Sequence, residues 1–168
     1  MKKLFLLFAL CSLLFAITGC GYVTHSALPP GIRVAVPMLK NSTYHSDVET
    51  KVTREIIKKF VTEGTEITSP ENADFLLSGE LVGYDKKTLR WEEGVYNEPQ
   101  EYRLILSVDI EYRDLRNGKV IFKGTISGHY DYFIKDMGSK KKESEDTAVQ
   151  EAAEDLAKNI VDRVCEQW

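Results

Sequence analysis

The sequence predicts an α/β (α+β) domain: a two-layer sandwich with two helices packed on one face of a mixed, mostly antiparallel sheet of four to five strands. Three observations carry that prediction. Residues 47–63 and 145–165 each repeat apolar side chains at three- and four-residue steps, the period of an amphipathic helix. Residues 102–113 alternate apolar and polar positions, the period of a half-buried antiparallel strand. Asn117-Gly118 then separates that run from a second alternating one, which makes a hairpin.

Composition divides the chain into unlike parts. Residues 1–19 hold 14 apolar residues, two lysines and no acid, whereas the following 149 residues have 20 basic and 26 acidic side chains, a charge of −6. Lys2 and Lys3 precede an apolar stretch over residues 4–17, too short for a comfortable membrane span and of the length of a secretory signal core. The stretch ends in Ile17-Thr18-Gly19-Cys20, which resembles the box that bacterial lipoprotein processing accepts. Residues 1–19 are therefore expected to be a cleaved signal, and Cys20 to carry diacylglycerol and an N-acyl chain. Those chains suffice for stable membrane anchoring. No other cofactor is expected. Gly21, in place of Asp, favours the periplasmic face of the outer membrane. Residues 20–30 form a lipidated tether, kept extended by Pro29 and Pro30, and residues 31–168 a single domain. With Cys20 acylated, Cys165 has no partner for a disulfide and is expected to act as a small apolar filler.

Within the domain, residues 31–38 (GIRVAVPM) are predicted as a strand with Ile32, Val34 and Val36 on one face, its pairing limited by Pro37. Asn41-Ser42-Thr43 makes a polar turn. Ser46 and Glu49 have capping-box spacing at the start of the first helix, and Gly64 sits at its C-terminal end. Val48, Val52, Ile56 and Phe60 form its apolar stripe; Lys51, Arg54 and Lys58 form a basic stripe on another face, expected to be solvated.

A short strand over residues 65–68 and a turn at Pro70 lead to a third strand over residues 73–84, resuming over 88–91. An acidic loop spans residues 92–101. After the alternating strand and the Asn117-Gly118 turn, the return strand covers residues 119–133, with Val120, Phe122, Ile126, Tyr130 and Tyr132 on one side. Ser144 caps the last helix, whose stripe is Val149, Ala153, Leu156, Ile160 and Val164.

No motif nominates catalysis. His25, His45 and His129 lack His or Cys neighbours at metal-ligand spacing, and neither a phosphate-binding glycine loop nor a G-x-S-x-G elbow is present. The chain is expected to bind or to build rather than to catalyse. The acidic balance disfavours nucleic acid as a partner. Lys140, Lys141 and Lys142 are adjacent in one loop, with a solubilising loop as the plain reading and a polyanion contact as the sharper one. Lys86, Lys87 and Arg90 could join such a patch.

The ordered set Gly19-Cys20-Gly21-Tyr22, LPPGIRVAVPMLKNSTY (28–44), FVTEG (60–64), ADFLLSGELVGY (73–84) and EYRLILSVDIEYRDLRNGKVIF (101–122) resembles the lipopolysaccharide-assembly lipoproteins of the LptE family. The resemblance implies a lipoprotein seated in a large outer-membrane β-barrel (an LptD-like partner), which it plugs and helps to assemble, the pair delivering lipopolysaccharide to the outer leaflet. It also implies lipopolysaccharide contacts at Arg90 and at the lysine run centred on Lys141. An alternative is a lipoprotein regulator docked on a cell-wall synthase, a role that usually needs a long disordered tether; here only residues 21–30 separate Cys20 from the first strand.

Overall fold

A computed structural model describes residues 29, 31–91, 94 and 98–167. The expected signal segment, Cys20, nearly all of the tether and five residues of the acidic loop lie outside the described residues.

The elements run β1 (Arg33–Ala35), β2 (Lys40–Asn41), α1 (Val48–Thr62), β3 (Glu66–Ile67), a 3₁₀ turn (Pro70–Asn72), β4 (Phe75–Trp91), β5 (Pro99–Asp114), β6 (Val120–Phe133) and α2 (Glu145–Cys165). The sheet order is β3-β1-β4-β5-β6, with β2 also on β4. β1, β2 and β3 pair in parallel, while β4, β5 and β6 form an antiparallel meander. Both helices cover one face, so the class and layering are those the sequence predicts.

The sheet has six strands rather than four or five, because Pro37 splits the first one. Val34 and Ala35 pair with Phe75 and Leu76; after the proline, Lys40 and Asn41 rejoin β4 at Glu80 and Leu81, one residue out of step. Proline cannot donate to the ladder, so the strand breaks there and resumes as β2. β4, by contrast, does not pause at residue 85 but is continuous over 17 residues, roughly 55 Å long. The acidic loop is shorter than expected because β5 begins at Pro99.

Other local expectations are also corrected. Ser46 and Glu49 make no capping box: Asp47 is the N-cap, left-handed at φ 67° and without a side-chain cap. Glu49 is drawn away by Asn41, whose Nδ2 donates to Glu49 Oε2 at 2.6 Å and to the His45 carbonyl at 2.8 Å. The β5–β6 connection is not a two-residue turn. Asp114 N–H donates to the Lys119 carbonyl, and the Asp114 carboxylate gathers Arg116 N–H and Asn117 Nδ2. Only Gly118, at φ 72°, is left-handed there. Val120 is exposed instead of joining Phe122 in the core, because the β5–β6 register slips beside it.

One core lies between the layers. Val52, Ile56 and Phe60 from α1 and Leu156 and Ile160 from α2 meet Leu77, Leu81, Leu104, Leu106 and Tyr112 from the sheet, all essentially inaccessible to water. α2 fits its predicted bounds, and Ser144 Oγ accepts from Thr147 N–H at 3.0 Å.

Candidate functional site

The β4–β5–β6 meander carries the basic residues to the end of the sheet farthest from β1. There Arg90, Glu101 and Phe133 stand in one cross-strand row. Arg90 Nε lies 3.5 Å from Glu101 Oε2. Irregularities in the β4–β5 register on both sides of Arg90 twist the strand end and re-aim its side chain. Phe133, two strands away and thus about 10 Å distant in backbone terms, lies under Lys140, whose ammonium is 5.7 Å from the ring centroid. Phe133 also anchors the lysine loop, its carbonyl accepting from Glu143 N–H at 2.8 Å. The fold thus brings Arg90 and the lysine run to one end of the sheet.

The six candidate cations are divided between two faces. Lys86 sits opposite the buried Leu104, and its ammonium reaches Glu145 Oε2 at 2.8 Å. It also stands 5.6 Å from the Tyr102 ring centroid. Lys87 projects to the opposite face beside Arg103. Lys141 Nζ lies 3.5 Å from Asp136 Oδ2, and Lys142 N–H donates to Asp136 Oδ1 at 2.8 Å. The lysine loop is therefore hydrogen-bonded rather than free.

Sequence reasoning missed the acids that hold these cations: Asp136 lies at the start of the lysine loop itself, whereas Glu101 and Glu145 come from other elements. Arg103 forms a two-pronged pair with Asp131 across β5–β6, Nε to Oδ1 at 2.6 Å and Nη2 to Oδ2 at 2.7 Å. The Arg103 guanidinium holds the Asp131 carboxyl below its ordinary range. At the start of α2, Glu145 accepts from Lys86 and from Tyr84 Oη, the latter at 2.6 Å. Lys86, then Tyr84, hold the Glu145 carboxyl low, while burial and the nearby carboxylate push the Tyr84 phenol well above its usual range. Leu89 and Trp91, 43% and 53% exposed, add apolar surface at the tip. Their position beside Arg90 in a strand was the available signal.

The basic stripe of α1 is solvated as expected at Arg54 and Lys58, which are exposed, and it also forms a polar seam with α2. Lys51 pairs with Asp146, Arg54 Nη2 donates to Gln150 Oε1 at 3.1 Å, and Lys58 reaches Glu55 at 2.8 Å and Glu154 at 3.3 Å. Glu55 is only 5% exposed; burial pushes its carboxyl up, but Lys58, Gln150 and Arg54 together outweigh that and leave it lowered. His129 Nδ1 faces Asp155, and His45 stacks on Tyr84 with centroids 3.6 Å apart. Among the described residues no cluster of His, Cys and carboxylates could hold a metal, and no helix is long and apolar enough to cross a membrane.

The sequence profile of the lipopolysaccharide-assembly (LptE) family matches residues 33–164, which is nearly the whole domain. The chain belongs to that family. This member is accordingly a cell-envelope lipoprotein of lipopolysaccharide assembly and not an enzyme. No curated protein matches it in a direct sequence comparison. Among solved structures it is similar to the hypothetical protein CT253 from Chlamydia trachomatis, with TM-score 0.56 and 14% identity, covering 81% of this chain and 96% of that one. The rare lipoprotein B from Shewanella oneidensis gives TM-score 0.53 at 17% identity, covering 80% and 94%. PelC from Paraburkholderia phytofirmans gives 0.50 at 20%, covering 80% and 89%. At such identities these likenesses concern the fold.

Proposed function

We propose that this LptE-family lipoprotein acts at the periplasmic face of the outer membrane, seated in a large β-barrel translocon of the LptD kind. There it plugs the barrel, assists its assembly and helps to deliver lipopolysaccharide to the outer leaflet. Residues 1–19 are removed as a signal, Cys20 carries the acyl chains, and residues 20–30 tether the single domain of residues 31–168. Lipopolysaccharide meets Arg90 and the loop of Lys140, Lys141 and Lys142, with Lys87 on the same side and Lys86 held behind by Glu145.

Besides the family match, the observation that carries this reading is the row Arg90–Glu101–Phe133 with Lys140 over the ring, which puts two sequence-distant basic segments at one tip. Ammonium and guanidinium groups pair with phosphate oxygens, and the exposed Leu89 and Trp91 offer apolar surface to an amphiphile. The many exposed charged side chains among the described residues also suit the polar lumen of a barrel.

Affinity capture of the full-length lipoprotein from detergent-solubilised membranes tests the partnership, with a large β-barrel protein expected in the eluate. Recovery without one sinks the plug role. For the tip, the Arg90→Asp/Lys141→Asp double variant is expected to lose lipopolysaccharide binding while keeping its fold. Unchanged affinity rejects the site.

A further inference from the structure

Three adjacent lysines repel one another, and a loop built from them alone would have no reason to hold one shape. This loop has one. Met137 and Lys140 exchange backbone hydrogen bonds at 2.8 and 2.9 Å, Gly138 supplies the left-handed residue at φ 57°, and Glu143 N–H ties the exit to Phe133. A single carboxylate spans the turn: one oxygen of Asp136 accepts from Lys142 N–H at 2.8 Å, and the other lies 3.5 Å from the Lys141 ammonium.

We propose that Asp136 is the positioning residue of the lysine loop and its resident counter-ion, so that the loop engages lipid ligands bearing two phosphates in preference to those bearing one. The inference rests on the reading of this tip as the lipopolysaccharide contact. The Asp136 backbone bond holds the turn from which Lys140, Lys141 and Lys142 project. Its charge occupies Lys141, so a ligand gains that ammonium only by replacing the carboxylate. The pair is exposed and weak, hence exchangeable. A ligand with one anionic group merely trades one ion pair for another. A ligand with two phosphates can engage more than one ammonium group at once and gains on exchange.

Two substitutions separate the two roles. Asp136→Asn keeps an oxygen for the Lys142 N–H but removes the charge; Asp136→Ala removes both. Binding is measured by co-sedimentation with zwitterionic vesicles containing either diphosphoryl or monophosphoryl lipid A, and by titration with free tripolyphosphate. Asp136→Asn is expected to bind both kinds of vesicle about twofold to fivefold more tightly, with the larger gain on the monophosphoryl vesicles, so that discrimination between them shrinks. Asp136→Ala is expected to bind both more weakly than Asp136→Asn. Unchanged discrimination in Asp136→Asn overturns the counter-ion role, and equal binding by the two variants overturns the positioning role. Tripolyphosphate is expected to bind more weakly than diphosphoryl vesicles; equal or tighter binding makes free polyphosphate the ligand and overturns the lipid assignment. The Arg90→Asp/Lys141→Asp variant separates the two levels. Normal binding by that variant rejects the tip itself, whereas lost binding there with a wild-type-like Asp136→Asn rejects only the inference about Asp136.

Discussion

Gly128 lies so close beneath Leu156 that a Cβ built on the glycine would stand 2.2 Å from the Leu156 amide nitrogen. Here α2 rests on the backbone of β6 rather than on side chains. Asp155 Oδ2 accepts from His129 N–H at 2.9 Å, and Asn159 Nδ2 donates to the Ser127 carbonyl at 3.0 Å. The helix thereby satisfies backbone groups on the outer side of β6, which would otherwise be an open sheet edge.

Gly128→Ala must therefore lift the helix or bend the strand. Urea denaturation is expected to show a loss of about 2–3 kcal/mol, the upper part of the overpacking range, because the obstacle is backbone. Asn159→Ala removes one hydrogen bond and is expected to cost about 1 kcal/mol. A Gly128→Ala protein as stable as the wild type would show that this contact can relax freely.

The helix seam and the core beneath it should differ sharply in worth. Phe60 is fully buried among both helices and the sheet, so Phe60→Ala is expected to cost about 3–5 kcal/mol through lost burial and the cavity left behind. Lys51 pairs with Asp146, whose side chain is largely in solvent, and Lys51→Ala should change stability by about 0.5 kcal/mol or less. Denaturation midpoints with unchanged slopes measure both.

Acid should loosen the domain at several points together. Asp74 beside Arg33, Glu111 beside Arg113, Asp114 beside Arg116, Asp131 beside Arg103 and Glu145 beside Lys86 all have carboxyls held below their ordinary values. A carboxyl that binds its proton less tightly when folded contributes stability in full above its unfolded pKa, near 4, and loses it as pH falls through the lower folded value. The urea midpoint is expected to be nearly level from about pH 7 to pH 5 and to fall below about pH 4. Asp131→Asn should remove one share of that fall.

Cys165 should be a poor nucleophile. Burial first, then Glu63 and Asp162, push its thiol up to about 11, against a small opposing effect of Lys59. Two units above an ordinary thiol means roughly a hundredfold less thiolate near neutral pH. In the domain of residues 31–168, iodoacetamide labelling at pH 8 is expected to run about a hundredfold slower than in the urea-unfolded chain. Comparable rates would place the thiol in open solvent.

Much of this molecule follows from local pattern. Four-residue apolar spacing set the faces of α1 and α2, period-two alternation set β5, and Ser144 set the start of α2, because helix and strand periods and side-chain caps act within a few residues of chain. Pro37 was visible as an interruption, although only the pairing with Glu80 and Leu81 made the far side of it a strand. The sequence also determined which residues are cationic, and the order of segments marked the family.

Tertiary structure decided which cations are available. Lys51, Arg54 and Lys58 look like a free stripe until α2 brings Asp146, Gln150 and Glu154 alongside, and Lys86 looks like Lys87 until Glu145 closes on it. Electrostatic partnership depends on distance in space, and acids 59 to 96 positions away leave no periodic trace in the chain. At the tip, Arg90 and the lysine run were legible as candidates, but they share one end of the sheet because β5 and β6 carry Glu101 and Phe133 into one row with Arg90.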